Sequence, residues 1–185
     1  KNRHILEDEF QKYVHGKNII DTFKYFLNIE CSPEEALKIG EEKEVIYRSL
    51  FTAGAIGQII EHNACVSGAE GGCQAECGAA AAMAAGAITE LAGGSPEEVV
   101  QAATLAIKNL LGLACDPVAG LVEVPCVKRN GVLAAYSFIA GEMALAGIKS
   151  EIPPDEVIEA MYRIGRMMPA AIRETAEGGL ATTTT

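Results

Sequence analysis

Apolar residues along this chain recur at helical intervals. From Ser95 onward, Val99, Ala102, Ala103, Ala106, Leu110 and Leu113 fall at steps that keep to one helix face. Ser95-Pro96-Glu97-Glu98 just before them sets a Ser N-cap, a Pro at the first helical position and a Glu at the third, and Ser32-Pro33-Glu34-Glu35 repeats the arrangement. A third start is marked by Pro154-Asp155-Glu156, where acidic residues complement the positive end of a helix. The pattern predicts helices near residues 3–15, 18–28, 33–62, 73–92, 96–112, 128–147 and 154–176. Val, Ile, Tyr and Phe nowhere alternate with polar residues over a long run. The one β-like piece, Val118 to Val124, is short and holds two small residues. The expected fold class is all-α, a compact multi-helix domain with site-bearing loops, spanning 1–185 as a single unit without repeats or a linker. Gly54, Gly57, Gly78, Gly86, Gly141 and Gly147 interrupt the helical patterns at about 1 kcal/mol each relative to Ala, which implies close helix contacts.

Composition narrows the function classes. With 49% apolar and 22% charged residues the chain has the balance of a globular protein, and its net charge is −10. An excess of 25 acidic over 15 basic residues repels a phosphate backbone, so neither a nucleic-acid nor an anionic-membrane partner is expected. The longest apolar stretch, residues 79–92, is mostly Ala and Gly with Thr89 and Glu90 inside it, short of a membrane span. The N-terminal residues turn acidic where a signal peptide would be apolar, and the expected location is cytoplasmic. Six cysteines in such a chain are read as reduced thiols, metal ligands or nucleophiles rather than disulfides.

Three of the six stand in loops suited to chemistry. Cys73 follows the glycine-rich run Gly68-Ala69-Glu70-Gly71-Gly72 and opens an Ala-rich helix, where free backbone N–H groups favour a thiolate; a small buried cysteine is the plain alternative. Cys115-Asp116-Pro117 and Pro125-Cys126 flank a short loop, each cysteine near a proline that frees the chain from helix. Zinc is the ordinary expectation for such a set. No C-x2-C pair is present, however, and His4, His15 and His62 have no ligand-like spacing. An iron-sulfur cluster tolerates irregular spacing, and three cysteines would leave one iron open as a Lewis acid.

The stretches Ser67-Gly68-Ala69-Glu70-Gly71-Gly72-Cys73-Gln74-Ala75-Glu76-Cys77-Gly78, Gly112-Leu113-Ala114-Cys115-Asp116-Pro117-Val118-Ala119-Gly120, Val124-Pro125-Cys126 with Arg129-Asn130, and Arg173-Glu174-Thr175 with Gly178-Gly179-Leu180-Ala181 resemble the α chain of the iron-sulfur-dependent bacterial L-serine dehydratases. The likeness runs from about Ile46 to Ala181 and extends to the order and spacing of the motifs. It implies a lyase of amino-acid degradation, feeding gluconeogenesis, that eliminates water from L-serine without pyridoxal phosphate. The 2-aminoacrylate formed becomes pyruvate and ammonia. It further implies a 4Fe-4S cluster held by Cys73, Cys115 and Cys126, with the fourth iron taking the substrate hydroxyl. Beside these, His62 and Glu70 are candidate bases, Glu70 and Glu76 candidates for the substrate ammonium, and Ser67, Gly68 and Arg129 candidates for its carboxylate. Cys77 is a candidate alternative ligand or a supporting residue; Cys31 and Cys65 read as ordinary buried thiols.

The chain departs from the family in two places. A Ser- and Gly-rich Pro-Thr-(Ala or Asn)-Gly loop is expected upstream, and residues 1–45 hold nothing like it, so that part reads as divergent or shortened. Some single-chain relatives end in a cysteine tail, whereas this chain ends Thr182-Thr183-Thr184-Thr185. The resemblance implies a β chain as partner and a hetero- or homo-oligomer. Two other readings stand beside it: a related iron-sulfur lyase acting on threonine or cysteine, and a non-catalytic redox- or oxygen-sensing cluster module.

Overall fold

The computed structural model describes residues 7–13, 21 and 32–184. The chain divides into two compact units, residues 1–47 and 48–185. The first unit contains α1 (Glu7–Tyr13) and the start of α2 (Pro33–Asn63). The expected helix at 18–28, the outer parts of the one at 3–15, and Cys31, His4 and His15 lie outside the described residues.

The second unit continues α2 and adds α3 (Gly68–Gly71), α4 (Cys73–Leu91), α5 (Pro96–Lys108), α6 (Lys128–Leu145) and α7 (Pro154–Met167). Among the described residues there is no strand, only an isolated parallel bridge between Cys115 and Arg173. The architecture is all-α, as the apolar spacing requires. No helix of the described residues is long and apolar enough to cross a membrane.

Helix starts follow the sequence signals. Ser95 Oγ accepts the Glu98 N–H at 3.3 Å while Glu98 Oε2 accepts the Ser95 N–H at 2.7 Å, and Ser32 and Glu35 make the same reciprocal pair. Ser95→Ala removes the hydroxyl arm of the α5 cap and is expected to cost about 1 kcal/mol, read as a lower urea midpoint at unchanged slope.

Helix α4 forms the centre, packed against α5 and α6. Its small residues Ala79, Ala82 and Ala85 let Ile60, Leu105, Val157 and Met161 close over it in one buried cluster. A Cβ on Gly86 would collide with Ile56 Cδ1, one on Gly57 would meet Met83 Sδ at 2.9 Å and one on Gly141 would meet Thr89 Oγ1 at 3.2 Å, so these three glycines serve close helix contact to decreasing degrees. Gly54 and Gly147 face open space, and Gly78 makes only ordinary contacts.

Two helices end earlier than their apolar patterns suggest. Helix α5 stops at Lys108 and the chain continues in turns to Gly112, which takes φ +87°. Leu110 and Leu113 thus leave the helix and pack against a second buried cluster, the one containing the cysteines. The expected helix 154–176 is corrected to Pro154–Met167. Met168 precedes Pro169 and is extended, as the proline ring demands of the residue before it. The β-like piece 118–124 becomes a 3-10 turn at Val118–Gly120 leading into the irregular turn Glu123–Val127.

Candidate metal centre

Cys73, Cys115 and Cys126 come from three separate segments, and each has a local reason to point inward. Gly72 has φ +74° and ψ −179°, a conformation essentially confined to glycine, and it turns the chain so that α4 begins at Cys73. The next residue, Gln74, is buried and ties this corner to two others. Its Nε2 donates to Met161 O at 2.9 Å, its Oε1 accepts the Gly112 N–H at 2.9 Å, and its own N–H reaches Leu113 O at 3.1 Å. Cys115 is fixed by the bridge to Arg173, with its N–H on Ile172 O at 2.9 Å and its carbonyl accepting the Glu174 N–H at 2.8 Å. Cys126 sits in the turn before α6, where its carbonyl accepts Asn130 Nδ2 at 3.1 Å.

All three cysteines are buried, and their sulfurs lie within 4.8 Å of one another. The ligand atoms of Cys73, Glu76 and Cys77 likewise lie within 4.8 Å of one another. The Cys77 thiol lies 3.9 Å from Cys73 Sγ and donates toward it. Ala81 and Leu133 complete this core, with Leu110, Leu113 and Tyr136 against it.

The electrostatics favour one thiolate among the sulfurs. Cys73 is lowered to about 6, first by the hydrogen bond from Cys77, with the Arg129 guanidinium and Cys115 adding to it against the cost of burial. Cys77 is pushed up, chiefly because it is the donor to Cys73. Burial, then the negative Cys73, raises both Cys115 and Cys126. Outside this group, burial raises the Cys65 thiol, and the Glu70 charge adds to the rise.

Arg129 braces the centre from the first turn of α6. Its Nη1 donates to Ala114 O at 2.6 Å and its Nη2 pairs with Asp116 Oδ1 at 3.2 Å. Asp116 is 5% exposed, and its other oxygen accepts the Leu180 N–H at 2.8 Å. One buried carboxylate thereby joins α6, the Cys115 loop and the C-terminal segment. Arg129→Ala would leave that carboxylate without its cation, and breaking a largely buried pair in this way costs about 3 kcal/mol. The expected result is a correspondingly lower urea midpoint for the full chain.

The other residues singled out from sequence are distributed unevenly. Gly68 is buried against the sulfurs: a Cβ there would meet Glu76 Oε2 at 2.9 Å, Cys115 Sγ at 3.0 Å and Glu174 Oε2 at 3.3 Å. Ser67 precedes it as the N-cap of α3 and makes no side-chain capping bond. Glu70 is exposed on the same turn, its carbonyl accepting Arg173 Nη1 at 3.2 Å. His62 is exposed in the last turn of α2. Gln74, Asp116 and Arg173 have no assigned role in the sequence reading, and Glu174, which stands at φ +68°, has none either. Gln74, Asp116 and the Arg173-Glu174 pair all fall inside the quoted motifs, the one signal that singles them out.

A cavity of about 300 Å3 lies elsewhere, lined by apolar side chains such as Ile56, Ile60 and Ile107, and contains none of these residues. A donor set of three buried thiols from three segments, with a guanidinium beside them to offset thiolate charge, fits a thiolate-held metal group.

The sequence profile described as "Serine dehydratase alpha chain" matches residues 29–181. The chain is 60% identical over 148 residues to a "Probable L-serine dehydratase, alpha chain" of Bacillus subtilis (strain 168), covering 80% of this chain and 49% of that protein. It is 49% identical over 144 residues to the "L-serine dehydratase, alpha chain" of Peptoniphilus asaccharolyticus, covering 78% and 49% respectively. Against "L-serine dehydratase 1" of Escherichia coli (strain K12) it is 48% identical over 139 residues, covering 75% of this chain and 31% of that one. The chain thus spans about half the length, or less, of these three relatives. With the profile extending over most of the sequence and through every segment of the sulfur centre, the chain belongs to the serine dehydratase alpha chain family.

Proposed function

We propose that this chain is the cluster-bearing catalytic part of an L-serine dehydratase, acting together with a β chain. The observation that carries the reading is the convergence of Cys73, Cys115 and Cys126 in a protein of this family. These three thiols would hold a 4Fe-4S cluster, with no role for pyridoxal phosphate. When bound, such a cluster supplies a Lewis-acidic iron that makes a β-hydroxyl a better leaving group.

The remaining tasks belong to side chains. Glu76 and Glu174 place carboxylate oxygens around Gly68 and Cys115, where they offer negative charge to a substrate ammonium. Ser67, whose hydroxyl makes no capping bond, and the adjacent Gly68 backbone would receive the carboxylate. Gly68 lets its backbone approach these atoms closely, where any side chain would collide with Glu76 and Cys115. Arg129, already engaged by Ala114 and Asp116, acts by keeping the Cys115 loop against α6 rather than by leaving its place for the substrate. His62 and Glu70, both exposed, are the proposed acceptors of the α-proton. Loss of that proton and of the β-hydroxyl leaves 2-aminoacrylate, which hydrolyses to pyruvate and ammonia.

The test is turnover. Anaerobically reconstituted full chain, with and without a candidate β chain, is assayed for pyruvate from serine. Pyruvate in the arm containing the β chain is the expected result. A fully loaded chain without turnover in either arm would instead favour the redox- or oxygen-sensing module.

A further inference from the structure

Cys77 is a fourth thiol at this centre, and neither the three-ligand assignment nor the chemistry above uses it. It lies one helical turn after Cys73 on α4, is 1% exposed, and its sulfur is 3.9 Å from Cys73 Sγ. Both side chains are fixed by the surrounding core of Ala81, Cys115, Cys126 and Leu133. The short, buried helix face leaves the Cys77 S–H directed at a sulfur that is itself a proposed ligand.

We propose that Cys77 is a positioning residue that donates its S–H to the Cys73 sulfur and thereby raises the reduction potential of the group held there. The inference rests on the cluster reading given above. The physical argument is that a hydrogen bond to a ligand sulfur withdraws charge from it and stabilises the more negative, reduced state. Its effect is largest where no water competes, and both sulfurs are buried. Because the ligand atoms of Cys73, Glu76 and Cys77 also lie within 4.8 Å of one another, direct ligation by Cys77 is the competing assignment.

The experiment compares wild type, Cys77→Val, Cys77→Ala and Cys77→Ser, each reconstituted without oxygen as the full chain, with helicity followed by circular dichroism. Val and Ala lack a donor; Ser restores an O–H. The expected result is unchanged iron and sulfide per chain in all four, a midpoint potential shifted to more negative values in both Val and Ala variants, and at least partial return in the Ser variant. Unshifted potentials in loaded Val and Ala variants would overturn the hydrogen bond while leaving the cluster reading intact. Loss of iron from folded Val and Ala variants would make Cys77 a ligand and overturn the proposal in that way. A wild-type chain that binds no cluster overturns both.

Discussion

Cys115→Ala is expected to carry no cluster and to form pyruvate only at background, while its helical content stays near that of wild type. The side chain is buried but small, so its loss removes about one methyl-sized volume of packing, and the neighbouring bridge to Arg173 is made by backbone atoms that the substitution leaves in place. What goes is one of the three sulfurs proposed as ligands. Cys73→Ala and Cys126→Ala should behave alike. Cys65→Ala is the control within the described residues: Cys65 lies against Gly71, outside the group of three, and should load fully. Iron and sulfide counted per chain after anaerobic reconstitution decide the matter, and full loading of Cys115→Ala would show the ligand assignment wrong.

Gly72→Ala is expected to be the most destabilising single-methyl change at the site. The φ +74°, ψ −179° backbone strains any side-chain-bearing residue by about 1–3 kcal/mol. The new Cβ would also lie 2.7 Å from Met168 Sδ and 2.9 Å from the Leu113 carbonyl, and overpacking of this kind adds about 1–3 kcal/mol. The sum, roughly 2–6 kcal/mol, is a large part of the 5–15 kcal/mol that typically separates folded from unfolded chains. Gly93→Ala separates the two contributions, because Gly93 has φ +84° with nothing within 4 Å. Its expected loss is the strain alone, about 1–2 kcal/mol. Urea midpoints of the two variants give the difference, and equal losses would contradict the steric half of the argument. Since Gly72 sets the direction of Cys73, the Gly72 variant should also load less iron than Gly93→Ala.

Local signals made most of the helices legible. Both Ser-Pro-Glu-Glu starts are realised as reciprocal caps because every atom they need lies within one turn. Helix α7 is the instructive exception: apolar spacing continued past Met168, but Pro169 ended the helix by a backbone constraint that outweighs periodicity. The glycine-rich run before Cys73 and the prolines around Cys115 and Cys126 marked loops that bend toward chemistry, yet nothing in their spacing fixed where they would meet. That meeting depends on contacts far apart in the chain, such as Gln74 with Gly112 and Met161, and Asp116 with Arg129 and Leu180. Such pairings are invisible to periodicity, which is why Gln74 and Asp116 have no role in the sequence reading. The near-neutral titration of an ordinary imidazole is what singles out His62 in the sequence, and its place in the fold is an exposed helix end.

The most direct test of serine chemistry at the three-sulfur centre is Mössbauer spectroscopy of chain reconstituted with labelled iron, before and after addition of serine or alanine. Alanine has the ammonium and carboxylate of the substrate but no β-hydroxyl, so the difference between the two isolates the hydroxyl contact. The expected result is one iron subsite that shifts with serine and shifts less with alanine, while the others stay put. Subsites that all respond alike, or none that respond while pyruvate is still produced, would contradict the account and transfer the elimination to side chains, with His62 and Glu70 the first to replace.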